Sequence, residues 1–188
     1  STLLTNRKSA DRSLTKVKVT YYPDSNIHSY RNWGNSEASV LPSYSRNKNA
    51  FDHIIQQAAQ RHGISSGLIK AVMHTESGFN VNARSPVGAQ GLMQLMPATA
   101  KETARKFGIP LASPQQALNP DTNIQLGAAY LSQVYGQFNG NRVLASAAYN
   151  AGPGRVRQWL RGANHLSYDV WVENIPFDET RQYVQNVL

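Results

Sequence analysis

The chain has 188 residues, no cysteine, a formal net charge of +8 and a sequence pI near 9.9. That length suits one ordinary core with an appendage, and the absence of thiols excludes disulfides, thiolate metal sites and a cysteine nucleophile. No apolar run approaches the ~18 residues a membrane helix needs, and the excess of cations points to an anionic partner or surface.

Residues 1–48 are rich in Ser, Asn, Tyr and Arg. Within them Lys16-Val17-Lys18-Val19-Thr20-Tyr21-Tyr22 alternates with strand periodicity, and with Thr2-Leu3-Leu4-Thr5 it predicts a short β-hairpin. From Pro23 to Lys48 the pattern dissolves into polar and Gly-containing stretches, the composition of a linker or extended arm. Ser1 has polar neighbours and no initiator methionine, so a removed leader, an anchor preceding Ser1 and a fragment of a longer chain are all open readings.

From Asn49 onward the pattern is helical with short breaks, which divides the chain into an extension, 1–48, and a main domain, 49–188. Asn49 is a candidate cap for a helix bearing Phe51, Ile54, Ile55, Ala58 and Ala59, with Gly63 as its stop. A second helix follows across Ser65–Phe79. Pro86, Gly88 and Gly91 break the passage Asn80–Gln94 and leave room for tight turns or a very small sheet. Helix resumes over Pro97–Gly108 and Pro120–Phe138, then over Arg142–Tyr149, Pro153–Leu160, Tyr168–Val172 and Asp178–Leu188. The last has no stop signal, so it continues or was trimmed there. The expected class is mostly α (α+β), without fixed-period repeats.

Glu76 is the residue whose phase is unusual. Leu68, Val72 and Glu76 fall at successive i+4 steps, flanked by Ile69, Met73 and Phe79, so the acid extends an apolar stripe. Burial penalises an ionised carboxyl and lets it keep a proton near neutral pH, as a general acid must. A Glu in a last helical turn that reaches past the stripe to solvent is the plainer reading, and on helical spacing alone it is the favoured one, since Glu is rarely buried without a partner.

Three separated stretches have a composition unusual for loops and helix ends: Glu76-Ser77-Gly78-Phe79-Asn80, Gly91-Leu92-Met93-Gln94-Leu95-Met96-Pro97 and Ala148-Tyr149-Asn150-Ala151-Gly152. With Ser85-Pro86-Val87-Gly88-Ala89, Asn119-Pro120-Asp121-Thr122-Asn123-Ile124, the continuation to Val156 and Glu173-Asn174-Ile175-Pro176-Phe177, the region Asn49–Leu188 resembles the soluble-type lytic transglycosylases, relatives of goose-type lysozyme. The resemblance implies a lysozyme-like multi-helix domain that cleaves the β-1,4 bond between N-acetylmuramic acid and N-acetylglucosamine in peptidoglycan. It implies Glu76 as the single acid and then base, with the 2-acetamido group as internal nucleophile and a 1,6-anhydro ring as product. Such a reaction is one of the substrate-assisted exceptions to the two-carboxylate scheme.

The resemblance also names supporting residues. Tyr149 matches a tyrosine near the acid, placed to hydrogen-bond the sugar or Glu76, although a core tyrosine fits its composition equally well. Gln94 offers donors and an acceptor to an N-acetyl group, while Met93 and Met96 offer soft apolar walls. Ser85 matches a serine that orients the acid, and on its own reads as a turn residue. Glu173 matches a second acidic group of the groove; with water between it and Glu76, a two-carboxylate hydrolase would be chemically possible. His74 stands where relatives often carry Arg or Gln, and an imidazolium there would favour the carboxylate.

The remaining classes find less support. His28, His53, His62, His74 and His165 form no HExxH and no carboxylate-backed pair, so neither a metal nor a cofactor is expected. The basic charge lacks any recognisable nucleic-acid motif, so no nucleic acid is expected, and a polyanionic cell wall fits it as well. The expected partners are peptidoglycan strands, with cell-wall or secretion machinery as a further candidate, in the periplasm or exported to the envelope. Oligomeric state is not legible.

Overall fold

A computed structural model describes residues 48–163 and 166–188, so the expected hairpin at Thr2–Thr5 and Lys16–Tyr22 lies outside the described residues. The helices are α1 Asp52–His62, α2 Ser66–Ser77, α3 Pro97–Phe107, a 3-10 turn at Pro114–Leu118, α4 Pro120–Gln137, α5 Arg142–Ala151, α6 Pro153–Arg161, α7 Tyr168–Glu173 and α8 Asp178–Val187. Their limits follow local chemistry. Gly63, Gly78 and Gly108 end α1, α2 and α3 in the left-handed conformation that glycine adopts without a Cβ penalty. Ser65, Asn119 and Asn141 accept hydrogen bonds from the first free amides of α2, α4 and α5.

Two expectations are corrected. Asn49 does not cap α1; Phe51 occupies the cap position, and the Asn49 side chain, two residues too early, instead accepts from Lys70 Nζ at 2.9 Å. In place of a very small sheet, the loop Asn80–Met96 contains two isolated antiparallel bridges, Arg84 with Gln90 and Gln90 with Leu95. Pro86 and the positive-φ Gly88 and Gly91 interrupt the extended backbone before a ladder can grow.

Helix α4 is buried on most of its circumference because its middle is made of small residues. Gly127, Ala128 and Ala129 let α1, α3, α5 and the loop approach closely, and a Cβ on Gly127 would stand 2.8 Å from the Met93 Cβ. The main core gathers Ile55, Leu68, Val72, Ile124, Leu131 and Val184. A smaller one, with Leu95, Ala100, Ile109 and Leu126, lies under α3 on another side of α4.

Asn123 of α4 is wholly buried and fastens the loop. Its Oδ1 accepts from the Met93 amide at 2.8 Å, while its Nδ2 donates to the Gln90 and Ala117 carbonyls, each at 2.9 Å. Each buried backbone group left without its partner costs about 1–3 kcal/mol. Asn123→Ala is therefore expected to destabilise the fold by roughly 3 kcal/mol or more, whereas Asn119→Ala at the exposed cap of α4 costs about 1 kcal/mol. Urea unfolding of the two variants checks the contrast.

Candidate active site

Glu76 occupies the last turn of α2 with 8% of its surface exposed, in line with Leu68 and Val72 on the buried face. Beyond it the chain reverses through Gly78 at φ 56° and Phe79 at φ 67°, and the Phe79 ring is buried. Left-handed backbone is strained for a phenylalanine. Among the described residues Phe79, Gln94 and Asn139 are the non-glycine positions with positive φ, and two of them belong to the segments flanking Glu76.

Those segments are tied together by side chains that bond backbone. Ser77 Oγ donates to the Leu92 carbonyl at 2.6 Å, and Tyr149 Oη donates to the Met93 carbonyl at 2.7 Å. Gln94 spends both amide hydrogens on the Ala83 and Gly91 carbonyls, at 2.9 Å and 2.8 Å, so only its oxygen remains as a group to offer outward. Ser85 Oγ accepts from the Ala89 amide at 2.9 Å and closes the turn Ser85–Ala89. Met96 is half-buried at the start of α3.

Tyr149 is fully enclosed, with its ring 5.4 Å from that of Tyr130. Burial pushes its phenol well above the usual tyrosine range, and the nearby Glu76 charge pushes it further. Tyr183 of α8 behaves in the same way: burial raises it first, then the Glu76 charge, Tyr149 and a hydrogen bond to Glu76. The buried Tyr183 hydroxyl bonds no backbone carbonyl, and the polar group that acts on it is the Glu76 carboxylate. Both phenols are thus neutral donors across the physiological range, and Glu76 is the carboxylate that acts on both.

Glu173 stands exposed at the C-terminal end of α7, where its backbone carbonyl accepts from Arg181 at 3.4 Å. The structure thus brings Glu76 and Tyr149 together over the Met93–Gln94 segment, while Ser85 and Met96 belong to the same loop and its exit. His74 stacks on Phe79 at 5.8 Å, and desolvation lowers its pKa, so a neutral imidazole stands there at pH 7 in place of the imidazolium that would favour the carboxylate. Tyr183 was not singled out by the sequence. Its signal there was only its phase with Thr180 and Val184 on the buried face of α8. No group of His, Asp or Glu among the described residues could hold a metal ion, and no described helix is long and apolar enough to cross a membrane.

Residues 53–172 match the transglycosylase SLT domain. The chain belongs to that family. It is 49% identical over 141 residues to the soluble lytic murein transglycosylase of Salmonella typhimurium, covering 74% of this chain and 22% of that protein, and 48% identical to the Escherichia coli K12 protein over the same shares. Among solved structures it is similar to an inactive glutamate-to-glutamine mutant of the lytic transglycosylase Slt from Pseudomonas aeruginosa, with 66% identity and a TM-score of 0.72 over 76% of this chain and 23% of that one. It is also similar to the 70-kDa soluble lytic transglycosylase in complex with bulgecin A, with 47% identity and a TM-score of 0.72 over 74% of this chain and 23% of that one. The SLT-domain chain therefore has the lysozyme-like helical fold and spans about a quarter of these relatives.

The buried groups of this SLT domain set its response to pH. Tyr149 and Tyr183 have folded pKa values above the ordinary 10.0, so the folded state keeps protons that the unfolded chain loses, and stability falls as pH rises beyond about 10. His62 and His74 have folded values below 6.5, so the unfolded chain takes up the extra protons, and stability falls as pH drops below about 6.5. Denaturant midpoints measured across pH are expected to be highest between these limits. Tyr183→Phe should flatten the alkaline arm; an unchanged arm would place its origin elsewhere.

Proposed function

We propose that residues 49–188 are the catalytic domain of a peptidoglycan lytic transglycosylase, with residues 1–48 as an extension, working at the cell envelope where that polymer lies. The observation that carries this reading is Glu76, an enclosed acid that acts on two neutral phenols, Tyr149 and Tyr183, in a chain of the SLT family. Support comes also from the relatives' names and from a similar enzyme made inactive by one glutamate-to-glutamine change.

In the reaction, Glu76 gives its proton to the glycosidic oxygen as the bond from that oxygen to the muramic C1 breaks. The 2-acetamido oxygen bonds to C1 from the other side and forms an oxazolinium. The C6 hydroxyl then attacks C1, the bond to the acetamido oxygen breaks, and Glu76 takes the hydroxyl proton. Atoms and protons balance without water, and the product is a 1,6-anhydromuramic end. The acid is regenerated in the second step, so one carboxyl suffices.

The surrounding residues divide the remaining work. Tyr149 fixes the wall beside the acid, Gln94 presents its amide oxygen, Met96 lends an apolar edge, Ser85 shapes the turn facing the groove and Glu173 contributes from the exposed end of α7. The partner is the glycan strand, and the +8 charge favours approach to a wall that carries carboxylates.

Glu76→Gln is expected to keep the fold and glycan binding while activity falls by at least about 10²–10⁴-fold, the range a lost general acid and base produces. Mass spectrometry of muropeptides from purified sacculi is the decisive readout for the parent. Anhydro ends are expected; reducing ends in their place would mean a water-using hydrolase, and full activity in the Gln variant would remove Glu76 from the chemistry.

A further inference from the structure

Thr180 and Asn150 are a polar pair for which the chemistry above has no use. Both are completely buried, and Thr180 Oγ1 donates to Asn150 Oδ1 at 2.7 Å. Neither side chain is open to a sugar. Their places in the fold are specific: Asn150 follows Tyr149 on α5, and Thr180 lies one turn before Tyr183 on the buried face of α8. The bond therefore joins the two helices that carry the two phenols acted on by Glu76.

Helices α5 and α8 pack directly on each other. Tyr183, Val184 and Val187 face inward from α8, and Leu144, Ala145 and Ala148 are buried on α5. Apolar contacts of this kind tolerate small slides of one helix along another, because they reward volume more than register. A short hydrogen bond between two buried groups is directional, and any slide that broke it would strand both groups away from water. Thr180 and Asn150 thus select one register. That register sets where the Tyr183 ring stands relative to Tyr149.

The separation matters because Tyr149 is already fixed, through its bond to Met93, to the loop facing the acid. Tyr183 has no such bond from its hydroxyl to the loop backbone, so its position comes from its helix. We propose that Thr180, through Asn150, is a positioning residue for the reaction: it holds α8 against α5 so that Tyr183 meets the Glu76 carboxyl in the orientation needed for proton transfer. A misplacement of about 1 Å at a reacting group costs on the order of 10²-fold in rate.

This proposal rests on the reading of Glu76 as the acid, and E76Q run in parallel separates the two. If E76Q remains active, that reading fails; if E76Q is dead, the Thr180 variants are decisive. T180V keeps the shape of the side chain and removes the hydroxyl, while T180S restores it without the methyl. On glycan strands T180V is expected to lose about 10–100-fold in kcat with KM within about twofold, and with a displaced pH–rate profile. T180S should retain the parent profile and most of kcat, although it also leaves a small void. Parent-like kcat and pH profile in T180V would overturn the proposal. So would equal losses in T180V and T180S that follow thermal stability alone. Should T180V not fold, T180A against T180S makes the same comparison: the hydroxyl, rather than the packing, must govern kcat and its pH dependence.

Discussion

The structure depends on how the segment Leu92–Gln94 is pinned. It has no sheet to belong to, yet three helices hold it through side chains bonded to its backbone: Ser77 of α2 takes the Leu92 carbonyl, Tyr149 of α5 takes the Met93 carbonyl and Asn123 of α4 takes the Met93 amide. Each bond is buried, so breaking one strands a peptide group without water. The loop is consequently as firmly placed as a strand would be. Its glycines serve the same end, since a Cβ on Gly91 would come within 2.9 Å of Asn123 Cγ, the group that does the fastening.

That constraint explains why Glu76 can be an enclosed acid. The carboxyl stands in the last turn of α2, where helix geometry alone would let it swing outward. Ser77, its neighbour, fixes the end of α2 to the loop, and the left-handed Gly78 and Phe79 turn the chain back beneath it. Tyr149 gives its proton to the loop while the Glu76 charge raises the phenol's pKa, so support and electrostatics meet in one side chain. Strain at Phe79 and Gln94 is tolerable because the buried contacts around them outweigh it.

What was legible in the sequence is what depends on near neighbours. The helices follow from apolar periodicity and from Gly and Pro placed at their ends; Glu76 stood out because Leu68 and Val72 share its face, but spacing alone favoured a Glu reaching solvent and the neighbouring motifs reversed that reading. Asn49 misled because a capping residue type says nothing of whether the helix begins two residues later. Of the two readings left for the 80–94 passage, tight turns and a very small sheet, the second failed because turn residues mark where a chain bends without saying whether extended neighbours are long enough to pair. Tyr183 was beyond reach for a different reason. Its link to Glu76 exists only once α8 has packed against α2 and α5, and its local pattern is that of any core tyrosine. Asn123 lay inside a recognised stretch, but its part in pinning Met93 is a contact across 30 positions.

The residues picked out by the resemblance turn out to spend most of their bonding capacity on the protein itself. Ser85 closes its own turn, Gln94 gives both amide hydrogens to carbonyls and Tyr149 gives its proton to Met93. That is what a single-acid reaction would require. In the proposed reaction one carboxyl would meet the glycosidic oxygen first and the C6 hydroxyl second, holding still while the sugar changes shape around it. A site with two carboxylates can divide those encounters between them. With one, accuracy would come from whatever immobilises the acid and its wall, and a motif rich in groups facing inward to the backbone, rather than outward to the sugar, is the arrangement such chemistry would favour.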